Sequence, residues 1–112
     1  MKALSIVRPG GTRIAEQLKT IEVRSWRPDI DPNEDLLIVE NDRFLRADDD
    51  KDSDGRAVAI VRVARVRPFL RKDMIAACAS SFAEGWLAWE LTDMRDSFER
   101  RRTCGASHLR SR

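Results

Sequence analysis

The chain has 112 residues, 36% of them charged and 42% hydrophobic, with a formal net charge of +2. That size holds one domain, spanning 1–112 with a modest core, and excludes both a multidomain machine and a wholly disordered chain. No run approaches the roughly 18 apolar residues that span a bilayer, and the start Met1-Lys2-Ala3-Leu4-Ser5 lacks the apolar stretch of a secretory leader. A cytoplasmic monomer without membrane contact is expected. The small net charge conceals an asymmetry: residues 1–56 carry 10 basic and 13 acidic side chains, whereas residues 57–112 carry 11 and 6. Of the 21 basic residues 17 are Arg, whose planar fork suits phosphate and stacks on bases. Two isolated Cys and a single His supply neither a disulfide framework nor a His-built zinc site, so no metal and no cofactor are expected.

Residues 3–7 read as a short strand that stops at Arg8-Pro9-Gly10-Gly11, where Pro fixes φ and the glycines permit a turn. Ile14 and Leu18, spaced i,i+4, predict a short amphipathic helix over about 12–18. Residues 20–26 alternate, with Glu22, Arg24 and Trp26 on one face of a strand and Ile21, Val23 and Ser25 on the other. After a loop marked by Pro28 and Pro32, Leu36–Val39 is an apolar run suited to a strand buried on both faces. The stretch 42–56 is dominated by Asp and predicts an exposed acidic loop. Within it, Asp50-Lys51-Asp52-Ser53-Asp54-Gly55 reproduces the opening of an EF-hand calcium loop, but position 12 is Val61 and a strand follows, so the match fails.

Residues 57–67 are rich in β-branched side chains and form the strongest strand signal, carrying Arg62, Arg65 and Arg67. Leu70, Met74, Ala77 and Cys78 then fall at i, i+4, i+7 and i+8 and predict a second helix. Trp86–Leu91 reads as a further strand, and the tail holds Arg100–Arg102 and Gly105-Ala106-Ser107-His108-Leu109. The order β-α-β-β-β-α-β-β lacks the alternation of a parallel α/β sheet. It predicts an α+β fold, a small mixed or antiparallel β-barrel flanked by two helices.

On the predicted strand 20–26, Glu22 and Arg24 lie on one face about 6.5–7 Å apart, with Lys19 arriving just before it. Lys19, Glu22 and Arg24 have the parts for handling a phosphate: a bidentate clamp, a point charge, and a carboxylate that orients them or acts as a general base. Trp26 is placed to stack a base. Gly10-Gly11 offers backbone N–H groups to an anion, with Arg8 and Arg13 nearby. Arg62, Arg65, Arg67 and Arg100–Arg102 would extend a phosphate track.

The set Leu4-Ser5-Ile6, Pro9, Ile14 and Lys19-Thr20-Ile21-Glu22-Val23-Arg24-Ser25-Trp26 resembles the N-terminal signature of the ASCH domain family, a strand, a helix and a Lys-x-x-Glu-x-Arg-x-aromatic strand. Leu36–Ile38, Ala57–Val66 entering Arg67-Pro68, Trp86–Leu91 and the Gly105–Leu109 close match in order. The resemblance implies a PUA-like barrel with a cleft between the first helix and the sheet that takes single-stranded RNA or a nucleotide. The expected contacts are Arg8, Lys19, Arg24, Trp26, Arg62, Arg65, Arg67 and His108. Members that resemble ribonucleases imply metal-independent cleavage carried by Lys19, Glu22 and Arg24. In the branch that resembles acetylcytidine amidohydrolases, a Thr nucleophile stands where this chain has Glu22, which disfavours that activity on a modified nucleoside. A non-catalytic protein-interaction or regulatory module is the remaining alternative.

Overall fold

A computed structural model describes residues 1–42, 55–96 and the backbone of 107–108. The acidic stretch 43–54, with most of the calcium-like motif, and Arg100–Arg102 lie outside the described residues. The elements are β1 (Lys2–Val7), α1 (Gly10–Ala15), β2 (Ile21–Arg24), β3 (Leu36–Asn41), β4 (Arg56–Pro68), β5 (Leu87–Asp96) and β6 (Ser107–His108), with a 3-10 turn at Arg71–Asp73. They form one mixed sheet in the order β2-β5-β4-β3-β1-β6. The β1 strand runs parallel to both β3 and β6, and the remaining pairs are antiparallel.

The sheet curls into a half-barrel because its longest strand bends. Over 13 residues β4 slips register twice against β5, between Ile60 and Arg62 and between Val63 and Arg65, and each bulge increases the local twist. The curl is deep enough for Arg24 of β2 to reach the Ser5 carbonyl of β1, although three strands separate them in the sheet. The concave face holds the main core of Leu4, Ile6, Ile14, Leu36, Ile38, Val61, Val63 and Trp89. Leu36, Leu37 and Ile38 are all buried, as a strand covered on both faces requires, with Leu37 joining Ala3 and Ile60 on the opposite side. No helix among the described residues is long and apolar enough to cross a membrane.

Helix α1 lies on the concave face and starts two residues before the predicted boundary, at the glycines themselves. A Cβ on Gly10 would sit 2.6 Å from Ile6 Cγ2, and one on Gly11 would meet Glu40 Cβ and Val58 Cγ2 at 3.0 Å, so the pair lets the helix touch the sheet. The helix unwinds after Ala15, where the N–H groups of Leu18 and Lys19 both return to the Arg13 carbonyl and Gln17 takes a left-handed φ of 62°. Leu18 is therefore exposed rather than packed below Ile14.

The second predicted helix does not form; one 3-10 turn stands in its place. The carbonyl of Ala76 accepts the N–H groups of Thr20 and Ile21, and that of Ala77 accepts the Lys19 ammonium, so the acceptors a helix would need are turned toward the approach to β2. The segment still covers an outer apolar patch of Ile21, Phe69, Ala77 and Ala88, while Leu70 of the predicted stripe is 45% exposed and neighbouring Ile75 91%.

Candidate functional site

The site is built around β2. In its antiparallel pairing with β5, Glu22 stands opposite the core residue Trp89 and Arg24 opposite Leu87, so both side chains enter the concave side. Glu22 is 5% exposed. Its Oε1 lies 3.3 Å from Lys19 Nζ, and its Oε2 accepts the Arg24 Nε–H at 2.7 Å. Each cation is held a second time by backbone: Lys19 donates to Ala77 O at 2.7 Å, and Arg24 Nη2 donates to Ser5 O at 3.0 Å. The cation side chains keep only 11% and 17% exposure. An ammonium has three N–H donors and a guanidinium five, so both retain donors beyond these contacts.

These side chains line a cavity of about 400 Å³. Its wall runs along β1 from Ser5 through the Arg8-Pro9-Gly10 turn and includes Arg13, Asn41 and Cys78. Four basic side chains, Arg8, Arg13, Lys19 and Arg24, face one carboxylate, Glu22. Arg8 pairs at its exposed end with Asp42 at 3.0 Å. A concave wall with excess positive charge and unengaged donors raises the local concentration of anions and suits the oxygens of a phosphate.

Other predicted contacts are placed elsewhere. Trp26 is 6% exposed and packs edge-on against Trp89, with ring centroids 5.0 Å apart, so the core takes the face expected to stack a base. Chain alternation does not separate these outcomes, because the concave face contains both cavity and core.

Arg65 and Arg67 donate to Glu90, which stands opposite Ile21 and hence on the convex side, away from Glu22. Arg67 also makes a two-pronged contact with Asp73 at 2.8 and 2.9 Å. Arg62 and Arg95 share Asp35. The Arg residues of β4 are thus cross-strand staples and do not continue the cavity wall. Hydrogen bonding holds the pKa of Asp73 down at about 2, chiefly through Arg67, and that of Asp35 at about 2, chiefly through Arg95 of β5.

The anion seat expected at Gly10-Gly11 is partly filled by the protein itself. The buried Glu40 carboxylate accepts Thr12 N–H at 2.7 Å and Thr12 Oγ1–H at 2.8 Å. In β6, His108 pairs in register with Ala3; its side chain lies outside the described residues. Asn41 and Cys78 join the wall without any sequence motif. Asn41 could be found only through its place at the end of an apolar strand, where a carboxamide is unusual.

The model of the ASCH domain matches residues 4–100. The chain belongs to the ASCH domain family. Its fold is similar to that of a point mutant of the ZmASCH protein from Zymomonas mobilis, with a TM-score of 0.58, 11% sequence identity, and coverage of 99% of this chain and 89% of that one. Among curated protein sequences none matches. In this ASCH domain the signature residues Lys19, Glu22 and Arg24 are the ones the half-barrel gathers at the cavity.

Proposed function

We propose that this ASCH domain binds single-stranded RNA or a nucleotide in the cavity, with a phosphate on Arg24 and Lys19 and with Arg8 and Arg13 at the approaches. The observation that carries the reading is the Lys19–Glu22–Arg24 cluster: two nearly buried cations, each fixed by a backbone carbonyl, share one carboxylate and keep N–H donors in hand. Glu22 has each oxygen committed to a cation, so it acts as a positioning group rather than as a general base. Held this way it supplies no alkoxide nucleophile either, and the amidohydrolase alternative gains nothing from the geometry. Cleavage of RNA in this site would rest on Lys19 and Arg24 stabilising negative charge that builds up on the phosphate, without a metal.

The test uses labelled single-stranded RNA with wild type and Lys19→Ala, with and without chelator. Lys19→Ala should lower affinity about tenfold and reduce the salt slope by about one. Equal binding by both proteins would remove the reading. Product formation that persists in chelator and is lost with Lys19 would add hydrolysis to binding. Capture of a protein partner that survives nuclease treatment, with no RNA bound, would favour the interaction module.

A further inference from the structure

The cavity lies along the seam where the half-barrel stays open, with β1 on one side and the terminal strand β2 on the other. Among the described residues β6 covers β1 only at Lys2 and Ala3. In a parallel strand the N–H and C=O of one residue point to the same side, and successive residues point to opposite sides. The Arg8 N–H donates to Asn41 O of β3 at 2.7 Å, which assigns the even-numbered residues of β1 to β3, whereas the Ser5 carbonyl accepts Arg24 from across the seam. Val7 has the parity of Ser5, so its N–H and C=O also point away from β3. Its side chain shares the face of Ala3, opposite the core residues Leu4 and Ile6. Val7 therefore meets the cavity with its main chain, and among the described residues nothing pairs with that N–H or C=O.

An unpaired strand edge is what an added peptide strand uses. Here the free stretch ends with β1 at Val7, and Arg24 crosses the gap at Ser5, so an added strand would find few partners. A single flat group fits the place better. One residue of extended backbone offers a donor and an acceptor side by side, the complement of the adjacent acceptor and donor on the pairing edge of a nucleobase. Val7 lies two residues, about 7 Å, along β1 from the Ser5 carbonyl that holds Arg24, which leaves room for a ribose between phosphate and base. We propose that the main chain of Val7 reads the base of the bound nucleotide, its N–H donating to the base and its C=O accepting from it, while Lys19 and Arg24 hold the phosphate. This inference rests on the cavity's being a nucleotide-phosphate site.

The test compares RNA tetramers of a single base (A, C or U) with an abasic tetramer of the same backbone. They are titrated into wild type, Val7→Ala and Val7→Pro, each checked for a cooperative thermal transition. Wild type should bind at least one base-bearing tetramer about tenfold more tightly than the abasic one. Val7→Ala changes only the side chain that points away and should keep that ratio within about twofold. Val7→Pro deletes the N–H without removing a bond to β3, and should bring the ratio close to one while affinity for the abasic tetramer stays within about twofold. A further arm needs no variant and decides the outcome even where Val7→Pro fails to fold: the preferred tetramer with the pairing-edge N–H groups of its base methylated should bind wild type about tenfold more weakly. No base-to-abasic preference in wild type, an unchanged ratio in Val7→Pro, a ratio lost in Val7→Ala, or indifference to methylation would each overturn the role of the Val7 main chain and leave the phosphate site standing. Absence of binding to every tetramer would overturn both.

Discussion

The cluster at the cavity and the clusters on the convex face use the same side chains in different proportions. Outside, Arg65 and Arg67 meet Glu90 and Asp73, and Arg62 and Arg95 meet Asp35 and Asp93, so cations and carboxylates match one for one. Inside, Lys19 and Arg24 share the single carboxylate of Glu22, and Arg13 stands nearby with no ion-pair partner among the described residues. Balanced clusters join strands and leave little charge for a ligand. The unbalanced one, with one carboxylate for two cations and a backbone carbonyl holding each, leaves net positive charge at the cavity.

Removing the carboxylate at the centre of the unbalanced cluster is expected to have the largest effect. Glu22→Gln leaves two nearly buried cations facing each other, and should lower stability by about 3 kcal/mol in urea unfolding. A change near zero would mean that Glu22 does not organise the pair. Breaking a balanced cluster ranks second: Asp73→Asn should lower stability by on the order of 2 kcal/mol and leave RNA affinity unchanged.

Sensitivity to acid has the same origin. Asp73 and Asp35 are more acidic in the folded chain, at about 2, than their ordinary value of 3.8, so they bind fewer protons folded than unfolded. Their stabilisation is complete well above pH 3.8 and is lost as the pH falls toward about 2. Asp73→Asn should therefore flatten the acid limb of stability against pH. The smallest effect belongs to Arg65, whose side chain is mostly exposed: Arg65→Ala should change stability by less than about 0.5 kcal/mol and leave binding intact. A marked loss of RNA affinity in that variant would erase the contrast between the two faces.

Much of this arrangement was legible in the sequence. The Lys-x-x-Glu-x-Arg spacing placed Glu22 and Arg24 on one side of a strand, and the β-branched run at 57–67 marked the strand that bends the sheet. What could not be read was which part of the concave face is cavity and which is core. Trp26 and Arg24 have the same parity, yet the tryptophan goes to Trp89 and the arginine to Ser5. Leu70, Met74, Ala77 and Cys78 kept helical spacing, but the carbonyls of Ala76 and Ala77 are needed by residues 19–21. A local pattern carries no record of that distant demand. Asn41 escaped because a single polar residue at a strand end has no period.

The Arg24–Ser5 bond has a mechanical side. In register, β6 faces only Lys2 and Ala3, and farther along β1 the Ser5 carbonyl is gripped by a guanidinium from β2. The half-barrel is laced across its open side by the same group that faces the cavity. Any widening of the mouth draws Arg24 away from Glu22 or from Ser5. Aperture and local charge are therefore set by one side chain, which bonds Glu22 on one side and the Ser5 carbonyl on the other.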